Sequence, residues 1–333
     1  DDSVTEIMVN GSDSIFIERN GHMEKWDKKF ESVERLSDVA QRIAAMSNRM
    51  VNEASPVADT RLSDGSRVSI VLPPVAINGP VITIRKFYDT PLTIERLIEL
   101  ESITAEAAEF LSRLVKSRYN IFISGGTGSG KTTFLNVLSD YIPEDERIVT
   151  IEDSAELQLH NVSNLVRLEA RMANLEGCNA VGIRDLIKAS LRMRPDRIVV
   201  GEVRGAEAID MLQAMNTGHD GSLSTGHANS PKDMMTRLET MVLMGMEMPV
   251  TAIRSQISSA IDIVVHLARL RDKSRKVVQI AEVGDYIGGE VALTPLYKFV
   301  ETGQDKNGKV FGKLVRQENS LIRTEKLKAA GYM

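Results

Sequence analysis

The chain has 333 residues, more than one average domain contains, so its length predicts two domains. It carries 41 lysines and arginines against 46 aspartates and glutamates, and this net charge of −5 argues against a surface built throughout to hold nucleic acid. The single cysteine, Cys178, excludes an internal disulfide and a cysteine-rich metal site.

Membrane and secretion signals are also missing from the sequence. No window of about 18 apolar residues predicts a membrane span, and the acidic start, DDSVTEIMVNG, lacks the basic and apolar regions of a signal peptide. We therefore expect an ordinary globular protein of the cytosol.

The first 87 residues predict an α+β domain. The run IFIERNGHMEKW places Asn20-Gly21 between two β-forming segments, which is a strong hairpin signal. Apolar residues at three- and four-residue steps predict a helix over 33–47 that covers the sheet. A second hairpin, VADTRL and RVSIVL around Asp64-Gly65, and the strand VITIRKF complete this domain.

A short segment that contains Pro91 separates this domain from a new helical pattern. We place a linker at 88–92, an N-terminal domain at 1–87 and a second domain at 93–333. In the second domain strands and helices alternate, which predicts a parallel sheet with helices on both faces. The predicted strands are NIFIS, RIVTI and RIVVGE, and the predicted helices cover 105–116, begin at Lys131, cover 183–192 and begin at Ala206.

The last third of the chain is first helical and then rich in strands. Ser230 followed by Pro231 predicts the start of a helix, and another helix is expected at 250–259. The segments DIVVHLARL, KVVQIAEVG and EVALTPLYKFV predict a small β-rich appendix, closed by a charged helix near the C-terminus.

A phosphate-binding pattern lies between a predicted strand and a predicted helix. The sequence GGTGSGKT, residues 125–132, satisfies G-x-x-x-x-G-K-[ST]. Glycines allow several backbone N–H groups to point at a phosphate, and the following helix adds its positive N-terminal end. Lys131 would neutralise the β and γ oxygens, and the Thr132 hydroxyl would hold Mg²⁺. The expected nucleotide-contacting residues are Gly125, Gly126, Thr127, Gly128, Ser129, Gly130, Lys131, Thr132 and Thr133.

The loop alone does not separate a small-molecule kinase, a GTPase and a motor. An Asn-Lys-x-Asp guanine signature is absent from the sequence, which favours an adenine nucleotide, ATP or ADP. The remaining motifs must decide the reaction.

Two acidic residues end predicted strands of the second domain. Glu152 ends RIVTI and is followed by Asp153 and Glu156, and Glu202 ends RIVVGE, where Gly201 replaces the usual aspartate. Such positions lie at the ligand edge of a parallel sheet. Either acid is a candidate for binding Mg²⁺ with Thr132 and for polarising the attacking water, and a solvated carboxylate near a helix N-terminus is the alternative. Which of the two is the base stays open.

Two histidines, His219 and His227, bracket a short predicted strand. The sequence offers no third histidine, cysteine or clustered acid at ligand spacing, which argues against zinc. We predict polar histidines that report on the phosphate, His219 by binding the nucleotide and His227 in catalysis. A hydrogen-bonded structural histidine is the alternative for each.

Four sequence boxes occur in a characteristic order: GGTGSGKT, TIEDSAEL, RPDRIVVGEVRG and TGHDGSLSTGHAN. With the N-terminal IMVNGSDSIFIE they resemble the ATPases of type II secretion, type IV secretion and type IV pili. Within that superfamily the chain is most similar to the CpaF-type motors of tight-adherence (Tad/Flp) pili. Relatives of this kind usually carry further N-terminal sequence, so we expect this chain to be part of a longer protein.

The resemblance implies an architecture and a set of partners. It implies an N-terminal α+β, PAS-like domain, a mobile linker and a RecA-like P-loop ATPase domain. It also implies a homo-oligomeric ring, a hexamer, that docks on an inner-membrane platform protein at the cytoplasmic face.

The resemblance also assigns roles to residues. It makes 125–132 the Walker A loop, Glu152 and Glu156 the acidic box, Glu202 the atypical Walker B acid, His219 and His227 the histidine box, and Arg204 a member of the sensor group. It places Arg67 in GSRV and Arg85 in ITIRKF against the nucleotide phosphates, with Arg61 a weaker candidate. Arginines on strands are otherwise usually surface charges.

These observations together predict a Mg²⁺-dependent ATP-hydrolysing motor that powers assembly of a Tad/Flp pilus and can also power its retraction. The alternatives are an ATPase that exports other cargo, a DNA-translocating ATPase and a nucleotide-gated scaffold without hydrolysis. The net charge of −5 and the 5% of aromatic residues argue against a DNA-tracking channel. The intact loop and acids argue against the scaffold.

Overall fold

The computed structural model describes residues 1, 3–19, 21–47, 49–87, 92–171, 180–306 and 308–333. The chain divides into two compact units, Asp1–Thr90 and Pro91–Met333. Residues 88–91 of the predicted linker and Cys178 lie outside the described residues, so the linker at 88–92 stays a prediction.

The N-terminal unit is a six-stranded antiparallel sheet with one long helix. Its elements are β1 (Val4–Asn10), β2 (Ile15–Arg19), β3 (His22–Trp26), α1 (Val33–Met46), β4 (Val57–Arg61), β5 (Arg67–Val71) and β6 (Val81–Arg85). The strand order is β3-β2-β1-β6-β5-β4. Both predicted hairpins, β2 with β3 and β4 with β5, are confirmed. The central strand β1 was not predicted.

Helix α1 covers one face of this sheet. Ser32 caps it by accepting a hydrogen bond from the backbone N–H of Arg35. Its buried alanines and Leu36 pack on Val68 and Ile70 of β5. Because side chains alternate along a strand, the residues next to Val68 and Ile70 in sequence, Arg67 among them, point to the opposite face.

The C-terminal unit is built on one nine-stranded sheet. Its helices are α2 (Ile94–Glu99), α3 (Ala105–Lys116), α4 (Lys131–Ser139), α5 (Ile183–Ser190), α6 (Ala208–Asn216), α7 (Pro231–Gly245), α8 (Val250–Ala260) and α9 (Glu325–Ala329). Its strands are β7 (Ile121–Gly125), β8 (Arg147–Glu152), β9 (Asn164–Glu169), β10 (Arg197–Val200), β11 (Leu223–His227), β12 (Ile263–Arg269), β13 (Arg275–Ile287), β14 (Glu290–Gln304) and β15 (Val310–Arg316).

The strand order in this sheet is β15-β14-β13-β12-β7-β11-β10-β8-β9, and the strands from β12 to β9 are parallel. Strands β13 to β15 continue the same sheet as an antiparallel extension, because β13 pairs with β12 over the whole length of β12. The predicted fold class, an α+β unit followed by an α/β unit, is confirmed. Elements α2, β9 and β15 were not predicted.

Two apolar cores cover the two faces of the parallel sheet, as the alternation of elements predicts. Leu111 and Leu135, from α3 and α4, belong to one core. Ile187, Leu212 and Leu238, from α5, α6 and α7, belong to the other. None of the helices in the described ranges has the length and apolar character that crossing a bilayer requires.

Candidate nucleotide-binding site

The carboxyl ends of neighbouring parallel strands bring most of the predicted site residues together. β7 ends at Gly125, β8 at Glu152 and β11 at His227, and His227 pairs in register with Gly125. Glu202 follows the end of β10 by two residues. Because parallel strands end at the same edge, the glycine-rich loop, both acids and His227 share the ligand edge of the sheet.

The loop at 125–130 has a shape that its glycines permit. A Cβ atom on Gly125 would lie 2.5 Å from the carbonyl oxygen of Leu267 and 2.6 Å from Ser129 Oγ, so a larger residue does not fit. Gly130 precedes α4 with a φ of +93°, in the left-handed region. The loop therefore leads directly into the N-terminus of α4, which favours anions and contains Thr132 and Thr133.

Three donors of the loop converge on one backbone oxygen, that of Gly126. Ser129 Oγ donates to it at 2.9 Å, Lys131 Nζ at 3.1 Å and the backbone N–H of Ser129 at 3.4 Å. These are the group types that bind phosphate in such loops. The loop thus holds its phosphate-binding donors together on a single internal acceptor.

A chain of polar contacts runs from Lys131 to Arg204. Lys131 Nζ lies 3.2 Å from His227 Nδ1, and His227 Nε2 lies 2.7 Å from Glu202 Oε1. The Arg204 side chain donates to Glu202 Oε2, at 2.8 Å from Nε and 2.6 Å from Nη2. Four predicted catalytic residues are therefore in one connected group.

His227 connects the two ends of this group as a neutral ring. An ammonium group only donates hydrogen bonds, so Nδ1 accepts from Lys131 and a neutral ring carries its proton on Nε2. The Nε2 atom lies 2.7 Å from Glu202 Oε1 as a close polar contact, and that oxygen has no hydrogen-bond partner among the described residues. Burial lowers the pKa of His227, as do the charges of Lys131, Arg204 and Arg237, while Glu202 opposes them. The ring is therefore uncharged at neutral pH.

Glu152 is a buried carboxyl group, and only one of its two oxygens accepts hydrogen bonds within the described residues. Only 4% of the residue is exposed. Oε2 accepts from the backbone N–H groups of Glu156 at 2.7 Å and Leu157 at 2.9 Å, and Oε1 has no hydrogen-bond partner among the described residues. Burial raises the pKa of Glu152 to about 7, against the two amide bonds that lower it. This carboxyl can hold or release a proton near neutral pH.

Gly201 and Glu152 fit each other across neighbouring strands. A Cβ atom on Gly201 would lie 2.9 Å from Glu152 Cγ and 3.5 Å from its Oε2. The Glu152 side chain therefore occupies the space beside position 201. This packing gives a physical reason for a glycine where the usual pattern has aspartate.

His219 is not brought to this group within the chain. It precedes β11 and so lies at the amino edge of the sheet, opposite the edge that carries the loop. Its Nδ1 lies 3.2 Å from the carbonyl oxygen of Ala214, and its own carbonyl oxygen accepts from Ser222 Oγ at 2.7 Å. These contacts match the structural alternative for His219.

Three arginines of the N-terminal unit form a row across its sheet. Arg61 is paired directly with Arg67, and Arg67 with Arg85, which in turn faces Glu6 of β1. Directly paired residues point to the same face. The row lies on the face opposite α1, and its role toward a nucleotide stays a prediction.

Sequence reasoning missed two contributors to the site, one on β12 and the other at the start of β13. His266 of β12 pairs with Ser124 of β7, and its Nδ1 lies 2.8 Å from Ser124 Oγ. Arg275, after the β12–β13 turn, donates from Nε to the carbonyl oxygen of Gly128 at 2.9 Å. The basic run RLRDKSRK, residues 269–276, is visible in the sequence as a candidate anion-contacting segment. Its place beside the phosphate loop follows only from the pairing of β12 with β7.

The fold and this edge define a phosphate-loop nucleotide-binding protein of the α/β class. The sequence pattern of the type II/IV secretion system protein family matches residues 1–312. The chain therefore belongs to that family.

Curated relatives agree with this membership. A Mycobacterium tuberculosis protein described as a candidate conjugal transfer protein is 36% identical over 88% of this chain and 84% of its own length. The type IV secretion system protein PtlH of Bordetella pertussis is 32% identical over 83% of this chain and 89% of its own.

Solved structures share the fold at low sequence identity. The Legionella pneumophila ATPase DotB superposes with a TM-score of 0.57 at 22% identity, covering 82% of this chain and 75% of its own. The pilus retraction motor PilT with bound ADP gives a TM-score of 0.58 at 18% identity, covering 98% of this chain and 84% of its own.

Proposed function

We propose that the protein is a Mg²⁺-dependent ATPase that works as a ring-shaped homohexamer and powers a Tad/Flp-type pilus. The observation that carries the ATPase proposal is the connected group Lys131, His227, Glu202 and Arg204 beside the phosphate loop, with Glu152 next to it. This arrangement can bind a polyphosphate and activate a water at one edge of one sheet.

Binding and charge stabilisation fall to the loop and its lysine. Lys131 turns from the carbonyl oxygen of Gly126 to the β and γ oxygens of ATP, and the loop N–H groups bind the β-phosphate. Because His227 touches both Lys131 and Glu202, a movement of Lys131 toward phosphate is transmitted to Glu202. This is how His227 reports that the site is filled.

Hydrolysis needs a water held in line with the γ-phosphorus. Glu202, whose side chain is 18% exposed, accepts a hydrogen bond from that water and its proton as the new P–O bond forms and the bond to ADP breaks. Arg204 orients Glu202 by donating twice to Oε2. Arg67 and Arg85 are proposed to neutralise charge on the phosphates.

The oxygen donors of this edge fit Mg²⁺. Thr132 offers a hydroxyl and Glu152 a buried oxygen that has no partner among the described residues. In the described ranges no cluster of three or more His, Cys, Asp or Glu residues could hold a metal. Thr132, with Glu152 or Glu202, would therefore hold Mg²⁺ together with phosphate and water, and the ion would neutralise the β and γ oxygens.

The test is ATP affinity and turnover for three variants. Lys131→Ala should abolish hydrolysis, because it removes the point charge of the loop. Glu202→Gln should bind ATP nearly as the wild type does and lose at least about 100-fold in kcat, the range of general-base removal. If Glu202→Gln hydrolyses ATP normally, Glu152→Gln becomes the variant to measure, because Glu152 is then the remaining base.

Lys232→Ala is the matched control, because Lys232 lies on the surface of α7 and forms an exposed ion pair with Glu290. It removes the same charge as Lys131→Ala and should leave affinity and turnover unchanged. A wild-type protein that binds no ATP would contradict the proposal as a whole.

The ring and its partners form the second part of the proposal. A homohexamer docked on an inner-membrane platform protein, at the cytoplasmic face, would convert closure of the nucleotide site into movement. Light scattering with and without a non-hydrolysable ATP analogue tests the ring. A monomer whose turnover is full and independent of protein concentration would contradict it.

Relatives favour a second candidate, an ATPase of a type IV secretion or conjugation system that moves other cargo. The Bordetella pertussis relative is a type IV secretion protein and TrbB of Rhizobium radiobacter, 32% identical over 86% of this chain, is a conjugal transfer protein. Deletion of the gene separates the candidates. Loss of surface pili with intact DNA transfer supports the pilus motor, and the reverse supports the conjugation ATPase.

A further inference from the structure

We propose that Arg275 is a positioning residue of the phosphate loop, which fixes the peptide between Gly128 and Ser129 so that the Ser129 N–H points into the phosphate cradle. This inference rests on the proposed nucleotide binding and extends it to the strand extension of the C-terminal unit.

The turn between β12 and β13 lies directly against the loop. Arg275 Nε donates to the carbonyl oxygen of Gly128 at 2.9 Å. A Cβ atom on Gly130 would lie 3.4 Å from Arg275 Cδ, and one on Gly128 would lie 3.6 Å from Arg269 Nη1. The two arginines therefore border the loop on the side of Gly128 and Gly130.

Neighbouring strands hold the turn in place. Asp272 Oδ1 accepts from the Ser274 N–H at 3.0 Å, and Asp272 Oδ2 accepts from the Val310 N–H at 2.8 Å. Arg271 donates to Glu301 Oε2 and to Gln304 Oε1, both on β14. Arg275, which is exposed, therefore extends from a turn that is held by its neighbours.

Because the peptide unit is planar, the hydrogen bond from Arg275 to the Gly128 carbonyl also fixes the direction of the Ser129 N–H donor. The C=O of Gly128 and the N–H of Ser129 belong to one planar unit and point in opposite directions. With the carbonyl held outward by Arg275, the Ser129 N–H points inward, where it reaches the carbonyl oxygen of Gly126 at 3.4 Å. Lys131 Nζ and Ser129 Oγ point to the same oxygen.

A guanidinium on a carbonyl also polarises the peptide, which strengthens the donor at its other end. Arg275 thus acts on phosphate through Ser129 and touches no reacting atom. Its contribution is the same for bound ATP and for the transition state, so it should appear in affinity and not in kcat.

The experiment compares nucleotides with and without a β-phosphate on the full chain. Calorimetry with ADP should give a Kd about tenfold higher for Arg275→Gln than for the wild type, as expected for loss of one charged hydrogen bond. The KM for ATP should rise by the same factor as the ADP Kd, and kcat should stay within about twofold of the wild-type value. AMP, which places no β-phosphate in the loop, should bind both proteins alike.

Two further variants control for structure. Arg275→Lys retains a charged donor and should recover part of the ADP affinity. Arg316→Gln removes the same charge from the end of β15 that lies away from this turn, where Arg316 is exposed and pairs with Glu106, and it should bind ADP as the wild type does. In ¹⁵N spectra, the Ser129 amide signal reports on the peptide directly. It should move in Arg275→Gln and stay in place in Arg316→Gln.

An unchanged ADP Kd in Arg275→Gln, or an equal loss for AMP and ADP, would overturn the role of Arg275 while leaving the proposed ATPase intact. A wild-type protein that binds neither ADP nor ATP would instead overturn the proposed function itself.

Discussion

Glu152 shows how opposing interactions determine the ionisation of one carboxyl group. Burial favours the protonated form, and two backbone N–H groups on Oε2 favour the ionised form. Burial prevails, and the pKa rises to about 7. At neutral pH a small change around the site, such as the arrival of Mg²⁺ near Oε1, is then enough to set the charge of Glu152.

This raised pKa predicts a pH-dependent stability. The unfolded chain has the ordinary value of 4.5, so between about pH 4.5 and 7 the folded protein keeps a proton that the unfolded chain has lost. The contribution of Glu152 to the free energy of unfolding therefore falls as pH rises through this window, by about 3 kcal/mol in all.

The measurement is urea denaturation of the wild type and Glu152→Gln at several pH values from 4 to 8. The variant keeps an oxygen for the two amides and does not titrate. Relative to it, the wild type should lose stability as pH rises from about 4.5 to 7 and then level off. A difference that stays constant over this range would mean that Glu152 titrates normally.

At the scale of elements, the features fixed by local chemistry could be predicted. Glycine-containing turns gave both N-terminal hairpins, a serine followed by proline gave the start of α7, and apolar periodicity gave α1 and α3. Strand ends gave the edge that gathers the loop, Glu152, Glu202 and His227. Each of these follows from residues close together in the chain.

Pairings between distant segments could not be predicted. The arginine of RIVVGE, Arg197, is fully buried in an ion pair with Glu146 and also donates to the carbonyl oxygen of Val115 at 2.7 Å. β12 lies beside β7, although about 140 residues separate paired positions. No residue near Arg197 or near β12 in the sequence specifies the partner of that segment. Because the pairing of β12 with β7 could not be predicted, the roles of His266 and Arg275 could not be predicted either.

His266 links two elements that carry the site. His266 Nδ1 forms a hydrogen bond with Ser124 Oγ on β7. The His266 ring also forms a hydrogen bond with the backbone of Asn229, which lies in the connection between β11 and α7. Asn229 follows His227 by two residues, so His266 ties the strand before the loop to the segment that holds His227. Burial lowers the pKa of His266 and keeps the ring neutral, while Asp233 and Lys131 act on it with opposite signs.

We predict that His266→Leu lowers kcat about tenfold and the free energy of unfolding by about 1–3 kcal/mol, because Ser124 Oγ then stays buried without its partner. Glutamine offers a donor and an acceptor, so His266→Gln should recover most of both quantities. Steady-state kinetics and urea denaturation measure them. If the two variants lose kcat and stability equally, the imidazole ring contributes packing and does not position His227.

At the scale of the whole molecule, the two units contribute different chemistry. The C-terminal unit contains the loop, the acids and His227, and it supplies Lys131 as the point charge of the loop. The N-terminal unit adds the row of Arg61, Arg67 and Arg85. Like charges side by side on a sheet repel each other, and Arg85 of this row also pairs with an acid, Glu6 of β1.

We expect the row to act on the nucleotide, so that ATP closes the linker at 88–92 and hydrolysis releases it. Arg85 ends the last strand before the linker, where a small rotation moves its guanidinium by several ångströms. An arginine that meets the transferring phosphate is worth about 10³–10⁵ in rate in enzymes that use one, so even a partial role is measurable. Arg85→Ala should lower kcat at least tenfold with an unchanged oligomer, and Arg67→Ala should act in the same direction.

Arg42→Ala is the matched control, because it removes the same charge from the exposed side of α1, across the sheet from the row. It should leave turnover unchanged. Spin labels on the two units would report the distance between them with and without the ATP analogue. If turnover and this distance are the same in Arg67→Ala, Arg85→Ala and the double variant as in the wild type, the row carries only surface charge, and the coupling between the units runs through other residues.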